Sequence, residues 1–371
     1  TRRRVVVRVT PLRSLAVLIG QRVLAVGDSV RLTIAAIDTA GRDIPAAGTV
    51  IGLEPSGSLV LRNNHLVAVG IGRVVVSASN AGLTARDTLT TQGPSEFPLE
   101  LVDGDGQNPL PLRVLLSMER VAIKWRRALR STPTGDFVRL QIGECRNAVP
   151  VAQFITGVRV LIKLDTLPPR VAGQGGPCVV RGNGLPLLGT VSLNRFTYNA
   201  LSDRKLDDLI QHEVGHVLGL GTVWSRGAFG GLVVGDSEAT DPIFVGANAL
   251  AAFPKLGSSA RFGGRLIPLE VRVRGHWRGD AFVNEVMSPQ LVAAEQATSA
   301  VTVAALRDLG WNVELEAYEE YALPSAVLTG GVSPRVIGSA AAVESDLLLP
   351  QIMIRNGVRV PLDAMGRPLQ R

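Results

Sequence analysis

His212-Glu213-Val214-Gly215-His216-Val217-Leu218-Gly219 is the stretch around which the chain is organised. Two histidines four apart lie one helical turn from each other, on the same face of a helix. Both imidazoles can therefore reach a single metal ion. Glu213, beside the first of them, can take a proton from water at that ion. Gly219 suits the end of the helix or a sharp turn beneath the metal. The bland reading is a chance match on a surface helix, but the chain has only four histidines in 371 residues. The flanks also read as helix. Ser202 is a fair N-cap, Asp203 suits the first-turn dipole, and Leu206, Leu209, Ile210, Val214 and Val217 recur at helical spacing.

A hydrolytic zinc takes three protein ligands and keeps one position open. In the common extended motif the third histidine falls where this chain has Thr222, a poor ligand. His65 lies far upstream and reads as an ordinary surface or turn histidine. That leaves His276, in Arg274-Gly275-His276-Trp277-Arg278-Gly279. A rival is Glu238, in the acidic run Asp236–Asp241, at a distance that suits a His-His-Glu set. The plain reading of that run is a solvated loop.

Apolar residues make up 46% of the chain and aromatics 4%, so its cores lean on Val, Leu, Ile and Ala. The length suits two or three domains. No uncharged stretch is long enough to span a bilayer. Thr1-Arg2-Arg3-Arg4-Val5 has neither an initiator Met nor a signal-like apolar core. A processed or truncated form, with any export signal out of view, is expected. The formal charge is +7, but Lys and Arg are spread out, with no basic stripe interleaved with aromatics. A solvated basic surface follows, not a nucleic-acid binder. Cys145 and Cys178 are the only thiols, and their spacing matches no Cys-type zinc site. They either pair, in an oxidising compartment, or are inert buried thiols. A disulfide agrees with a secreted or cell-surface location.

Residues 1–92 read as all-β. Strands are expected at Val5–Val9, Val30–Ala36, Leu59–Leu61, His65–Val69 and Arg73–Ala78, with a turn at Asp38-Thr39-Ala40-Gly41. Three stretches resemble the bacterial Ig-like (Big-type) modules of secreted and surface proteins. They are Val7-Arg8-Val9-Thr10-Pro11, the turn from Ala36 to Arg42, and the run from Leu66 to Ala78. Thr49-Val50-Ile51 stands where those modules often carry a Trp. The resemblance implies an Ig-like β-sandwich that could contact cell-surface or extracellular-matrix partners.

After the polar linker Thr91-Gln92-Gly93-Pro94, residues 93–313 mix strands and helices. Val114, Met118, Val121, Trp125 and Ala128 mark a helix over Leu112–Leu129. Gly157–Leu164 and Gly189–Asn194 read as strands, the latter with one polar face. Gly-rich pieces such as Gly227–Gly231 suggest loops over a site. Residues 314–371 read as an appendage or tail.

Several motifs here resemble the leishmanolysin (gp63-like) family of metzincin zinc proteases. They are the His212–Gly219 motif, a long insertion, a lone His276 followed by Trp277, and Asn284-Glu285-Val286-Met287-Ser288-Pro289. Gly176-Pro177-Cys178, Gly184-Leu185-Pro186, Gly221-Thr222-Val223-Trp224 and the segment Ala305–Trp311 extend the likeness, over residues 97 to about 313. It implies an α+β zinc protease domain with His212, His216 and His276 as zinc ligands. Glu213 would be the general base and Met287 the methionine-turn residue beneath the metal. Thr190, Ser192 and Asn194 would then lie on an edge strand that pairs with protein or peptide substrates. The chain departs from the family in having only two cysteines and no pro-segment cysteine, so latency by a cysteine switch is not expected. The rival class is a surface adhesion or binding protein that holds zinc without turnover. Glu213 speaks against it, because a binding module has no use for that carboxylate.

Overall fold

Strands outweigh helices and fall into several sheets. The structure, a computed structural model, describes residues 11–20, 22–93, 97–104, 108–130, 134–146, 148–224, 231–235, 241–257, 266–271, 275–324, 347–363 and 366–369. Two compact units divide the chain, Thr1–Ser95 and Glu96–Arg371.

In the first unit, alternating apolar and polar residues build eight strands among the described residues. They are β1 (Leu12–Ile19), β2 (Val23–Ala25), β3 (Ser29–Asp38), β4 (Val50–Glu54), β5 (Leu59–Arg62), β6 (His65–Ala68), β7 (Gly72–Asn80) and β8 (Leu83–Gln92). They form two four-stranded sheets, β1-β3-β6-β5 and β2-β8-β7-β4. Val74, Val76 and Ala78, every second residue of β7, point into a shared core with Ile19, Leu24, Leu32, Leu66 and Leu89. Turn chemistry sets the connections. Asp38 Oδ1 accepts the Ala40 and Arg42 N–H groups at 2.8 and 2.9 Å, an Asx-type turn. Asn63 and Asn64 take φ of 47° and 61°, the left-handed pair that a tight hairpin needs. His65, at that turn, is exposed and its Nδ1 donates to Asn63 O at 3.0 Å. The strand expected at Val5–Val9 lies outside the described residues.

The second unit contains β9 (Leu99–Asp103), α1 (Leu112–Ala128), β10 (Asp136–Leu140), β11 (Val151–Ile155), β12 (Val158–Asp165), β13 (Gly173–Arg181), β14 (Pro186–Asn194) and α2 (Asp203–Val217). Short pieces follow: β15 (Val233–Val234), β16 (Ile243–Phe244), α3 (Ala247–Ala252), β17 (Ile267–Pro268), α4 (Gly279–Phe282) and α5 (Ala300–Asp308). The hairpin β18 (Ile352–Arg355) and β19 (Val358–Pro361) closes the described chain. The main sheet has the order β19-β18-β13-β14-β12-β9. β12 is parallel to β9 and β14, while β13 runs antiparallel to β14. No helix among the described residues is long and apolar enough to cross a membrane.

Glycines let α2 settle on this sheet. A Cβ at Gly189 would fall 2.4 Å from Val217 Cγ1, and one at Gly175 would fall 2.4 Å from Glu213 O. α1 buries Val114, Met118, Val121, Trp125 and Ala128, the stripe its periodicity predicts. It is tied to α2 by Arg120–Asp207 and by the Trp125 indole N–H, which donates to Gln211 O at 3.1 Å. A separate apolar cluster joins β10 and β11 to Cys178, Leu187, Leu188 and Ile352.

Two sequence expectations are corrected here. Gly189–Asn194 is not an edge strand. β14 lies between β12 and β13, hydrogen-bonded on both sides and buried along its whole length. Its backbone has no edge to offer a substrate, and Thr190, Ser192 and Asn194 are all buried. Residues 314–371 are not a detached appendage either. β18 pairs in parallel with Val179–Arg181 of β13, and Ile352 and Ile354 enter the core. The short strands carry too little periodicity to be read alone, and their partner lies far back in the sequence.

Cys145 and Cys178 are joined, with Cα atoms 5.6 Å apart and both residues fully buried. The bridge spans 33 residues. Loop-closure entropy then contributes about 3–4 kcal/mol. Thiol titration of the denatured, unreduced protein should find no free thiol, and reduction should lower the melting temperature. Two titratable thiols per chain would refute the bridge.

Candidate metal centre

The site starts with how α2 begins and ends. Ser202 caps it, its side chain accepting the Lys205 N–H at 3.3 Å. At the other end Gly219 takes φ of +107°, the left-handed conformation that stops a helix. Its N–H donates to His216 O and that of Leu220 to Gly215 O, both at 3.1 Å. Thr222, where a nearby third ligand would sit, instead donates its hydroxyl to His216 O at 2.7 Å. Gly221 then passes so close to the second loop that a Cβ there would lie 2.1 Å from Gly275 O. That contact brings the residue before His276 up against the end of α2.

The structure brings His212, His216 and His276 together. Their Nε2 atoms are separated by 3.0, 3.1 and 3.3 Å, and His216 and His276 are fully buried. His212 Nδ1 lies 2.6 Å from Val286 O and His216 Nδ1 2.8 Å from Leu220 O. A carbonyl only accepts, so both Nδ1 atoms carry the proton. Both Nε2 atoms are then bare lone pairs facing each other inside the protein. Bare lone pairs at that distance repel unless a cation lies between them. A tetrahedral zinc with Zn–N bonds of about 2.0–2.1 Å sets its ligand nitrogens about 3.3 Å apart, close to the observed spacing. The three side chains therefore fit a metal ion. The rival ligand Glu238 lies outside the described residues.

Glu213 is 2% exposed and lies against β13; a Cβ at Gly173 would come within 2.6 Å of its Oε1. Met287 is fully buried, and its Sδ occupies the space over Gly215, where a Cβ would meet it at 2.5 Å. Gly215 lies between His212 and His216 in the sequence, so Met287 packs directly on the turn that carries them. Trp277 anchors the other side. It stacks among Trp224, Phe244 and Phe282 and donates its backbone N–H to Met287 O at 3.1 Å.

No protein-family model matches the chain, and no curated protein does.

The strand beside the site is β13. Its glycines are the only signal of the close approach to Glu213. From Gly175 onward its outer edge is taken by the chain itself: Leu348 N–H donates to Gly175 O and Gln351 N–H to Cys178 O, both at 2.9 Å. Asn194 is structural, its amide donating to Val171 O at 2.8 Å and Pro168 O at 3.2 Å. Ser192 Oγ lies 3.5 Å from Asp165 Oδ2. Glu285, one residue of the Asn284–Pro289 motif, is fully buried, and burial pushes its pKa up. Nothing in its local sequence marks it as different from a surface carboxylate.

The approach of β13 to α2 gives a test of this packing. Gly175→Ala forces a methyl onto the Glu213 backbone, and neither the strand nor the helix can move without breaking pairings. A loss of stability of about 1–3 kcal/mol is expected, the usual cost of overpacking. Urea denaturation checks it; an unchanged midpoint would show that the contact is looser than described.

Proposed function

We propose that the chain is an exported zinc-dependent endopeptidase of the leishmanolysin-like metzincin type, preceded by an Ig-like module. The observation that carries this reading is the convergence of three buried imidazoles with a buried carboxylate, Glu213, one residue from the first of them. His212, His216 and His276 would hold the ion. Bound there, zinc supplies a Lewis acid and brings the pKa of a water toward neutrality. Glu213 takes the proton from the attacking water and hands it to the leaving amine as the peptide bond breaks. The carbonyls of Val286 and Leu220 fix the tautomers of His212 and His216 and raise their basicity as ligands. Met287 keeps the floor under the ligand turn apolar. Glu213 lies beside Gly173, at the N-terminal end of β13.

The test is a casein and peptide-library digest of the full chain, with metal analysis of the same preparation. Cleavage that stops with a chelator and returns with zinc supports the reading. A protein that retains one zinc per chain and cleaves nothing would instead be a binding protein on a metzincin-like frame.

A further inference from the structure

Glu285 is a buried carboxylate that the proposed chemistry does not use, yet it collects three donors. Its Oε2 accepts the Met287 N–H at 2.6 Å. Its Oε1 accepts the Ser299 N–H at 3.0 Å and the Thr302 hydroxyl. Thr302 Oγ1 in turn accepts the Trp277 indole N–H at 2.7 Å. The partners thus come from the methionine turn, from the start of α5, and from the residue after His276.

The turn that Glu285 fixes touches the metal centre on two sides. Between Glu285 and Met287 lies Val286, whose carbonyl accepts the His212 Nδ1–H. Met287 O accepts the Trp277 N–H, next to His276. A Gln296 amide braces the Glu285 carbonyl from below, at 3.1 Å. The His212 ring on α2 and the His276 loop therefore share one support, with the Glu285 carboxyl group inside it.

We propose that Glu285 is a positioning residue of the metal centre: its carboxylate clamps the 285–287 turn and thereby sets the orientation of His212 and the placement of His276. The inference rests on the metal-centre reading above. A carboxylate is required because each of its oxygens faces a backbone N–H. A glutamine has one acceptor oxygen, so its NH2 would be turned toward either the Met287 or the Ser299 N–H, donor against donor. The turn must then shift, and His212 loses the partner that fixes its tautomer.

The experiment compares wild type, Glu285→Gln and Thr302→Val as full chains. Zinc affinity is read by chelator competition, ligand geometry by the visible spectrum of the cobalt-substituted protein, and kcat and KM separately. For Glu285→Gln, zinc binding should weaken about 10–100-fold, the range seen when supporting partners of metal ligands are removed. The cobalt bands should shift, and kcat should fall with KM little changed. Thr302→Val cuts only the Trp277 branch and should give a smaller loss, several-fold, in the same direction. If Glu285→Gln folds with wild-type zinc affinity and cobalt spectrum, the proposal is overturned, even if its melting temperature drops. If Glu285→Gln does not fold, Thr302→Val decides: weaker metal binding sustains the proposal and unchanged binding overturns it. A wild type that binds neither zinc nor cobalt would sink the metal-centre reading itself, an outcome separate from both.

Discussion

Glu213→Gln leaves zinc content and fold unchanged and lowers peptide hydrolysis by about 10²–10⁴-fold, the contribution typical of a positioned general base. The structural reasons are separable. Glu213 is not among the three converging imidazoles, so its loss removes no ligand nitrogen. Its side chain is packed against Gly173, and glutamine has the same shape, so the contact between α2 and β13 survives. What is lost is the basic oxygen. The amide can still hydrogen-bond a water but cannot take its proton. KM should therefore move little while kcat collapses. The measurement is kcat/KM on a peptide found in the library digest, beside metal analysis of the same sample. Retention of more than a few per cent of wild-type activity would remove Glu213 from the base role and leave the proton to be handled by another group.

Local chemistry was legible in the sequence, and long-range pairing was not. The helix bearing the metal motif could be read from its cap, its apolar spacing and its closing glycine, all within one stretch. The stripe on α1 is of the same kind. The third histidine could be narrowed down because so few histidines exist, a property of composition. Sheet order was another matter. Gly189–Asn194 does form a strand, but whether a strand is central or at an edge depends on partners far away in sequence, and alternation does not encode them. The alternation at Thr190, Ser192 and Asn194 gives a strand with one polar face, and only the family resemblance implies an edge position for it. Instead those residues are buried, Asn194 being spent on carbonyls of the loop before β13. β13 itself hides behind its glycines, which score as loop although here they are needed so that α2 can approach. Glu285 is the clearest limit: its role comes from three donors contributed by residues later in the chain, and no spacing rule reaches them.

His276→Ala should abolish stable metal binding, whereas Glu238→Gln should leave it intact. On the proposed reading, His276 is the ligand that the chain must return to deliver. Thr222 is committed to capping His216 O, so nothing close behind α2 can replace it. The loop is held in place by the Gly221–Gly275 approach, by the Glu270 N–H donating to His276 O at 3.0 Å, and by Trp277 against Met287. These anchors are backbone contacts and aromatic packing, and they survive removal of the imidazole. The variant should therefore fold while losing one of three ligand nitrogens. A structural zinc with four ligands binds with roughly 10–16 kcal/mol, or about 3 kcal/mol per ligand, so the loss is on the order of 10²-fold or more in affinity. Zinc per chain after dialysis against a weak chelator reads the difference directly. His276→Ala that keeps a full complement of zinc, with Glu238→Gln emptied, would mean that the ion is held by a His-His-Glu set. The close packing of the His276 ring beside His212 and His216 would then be structural only.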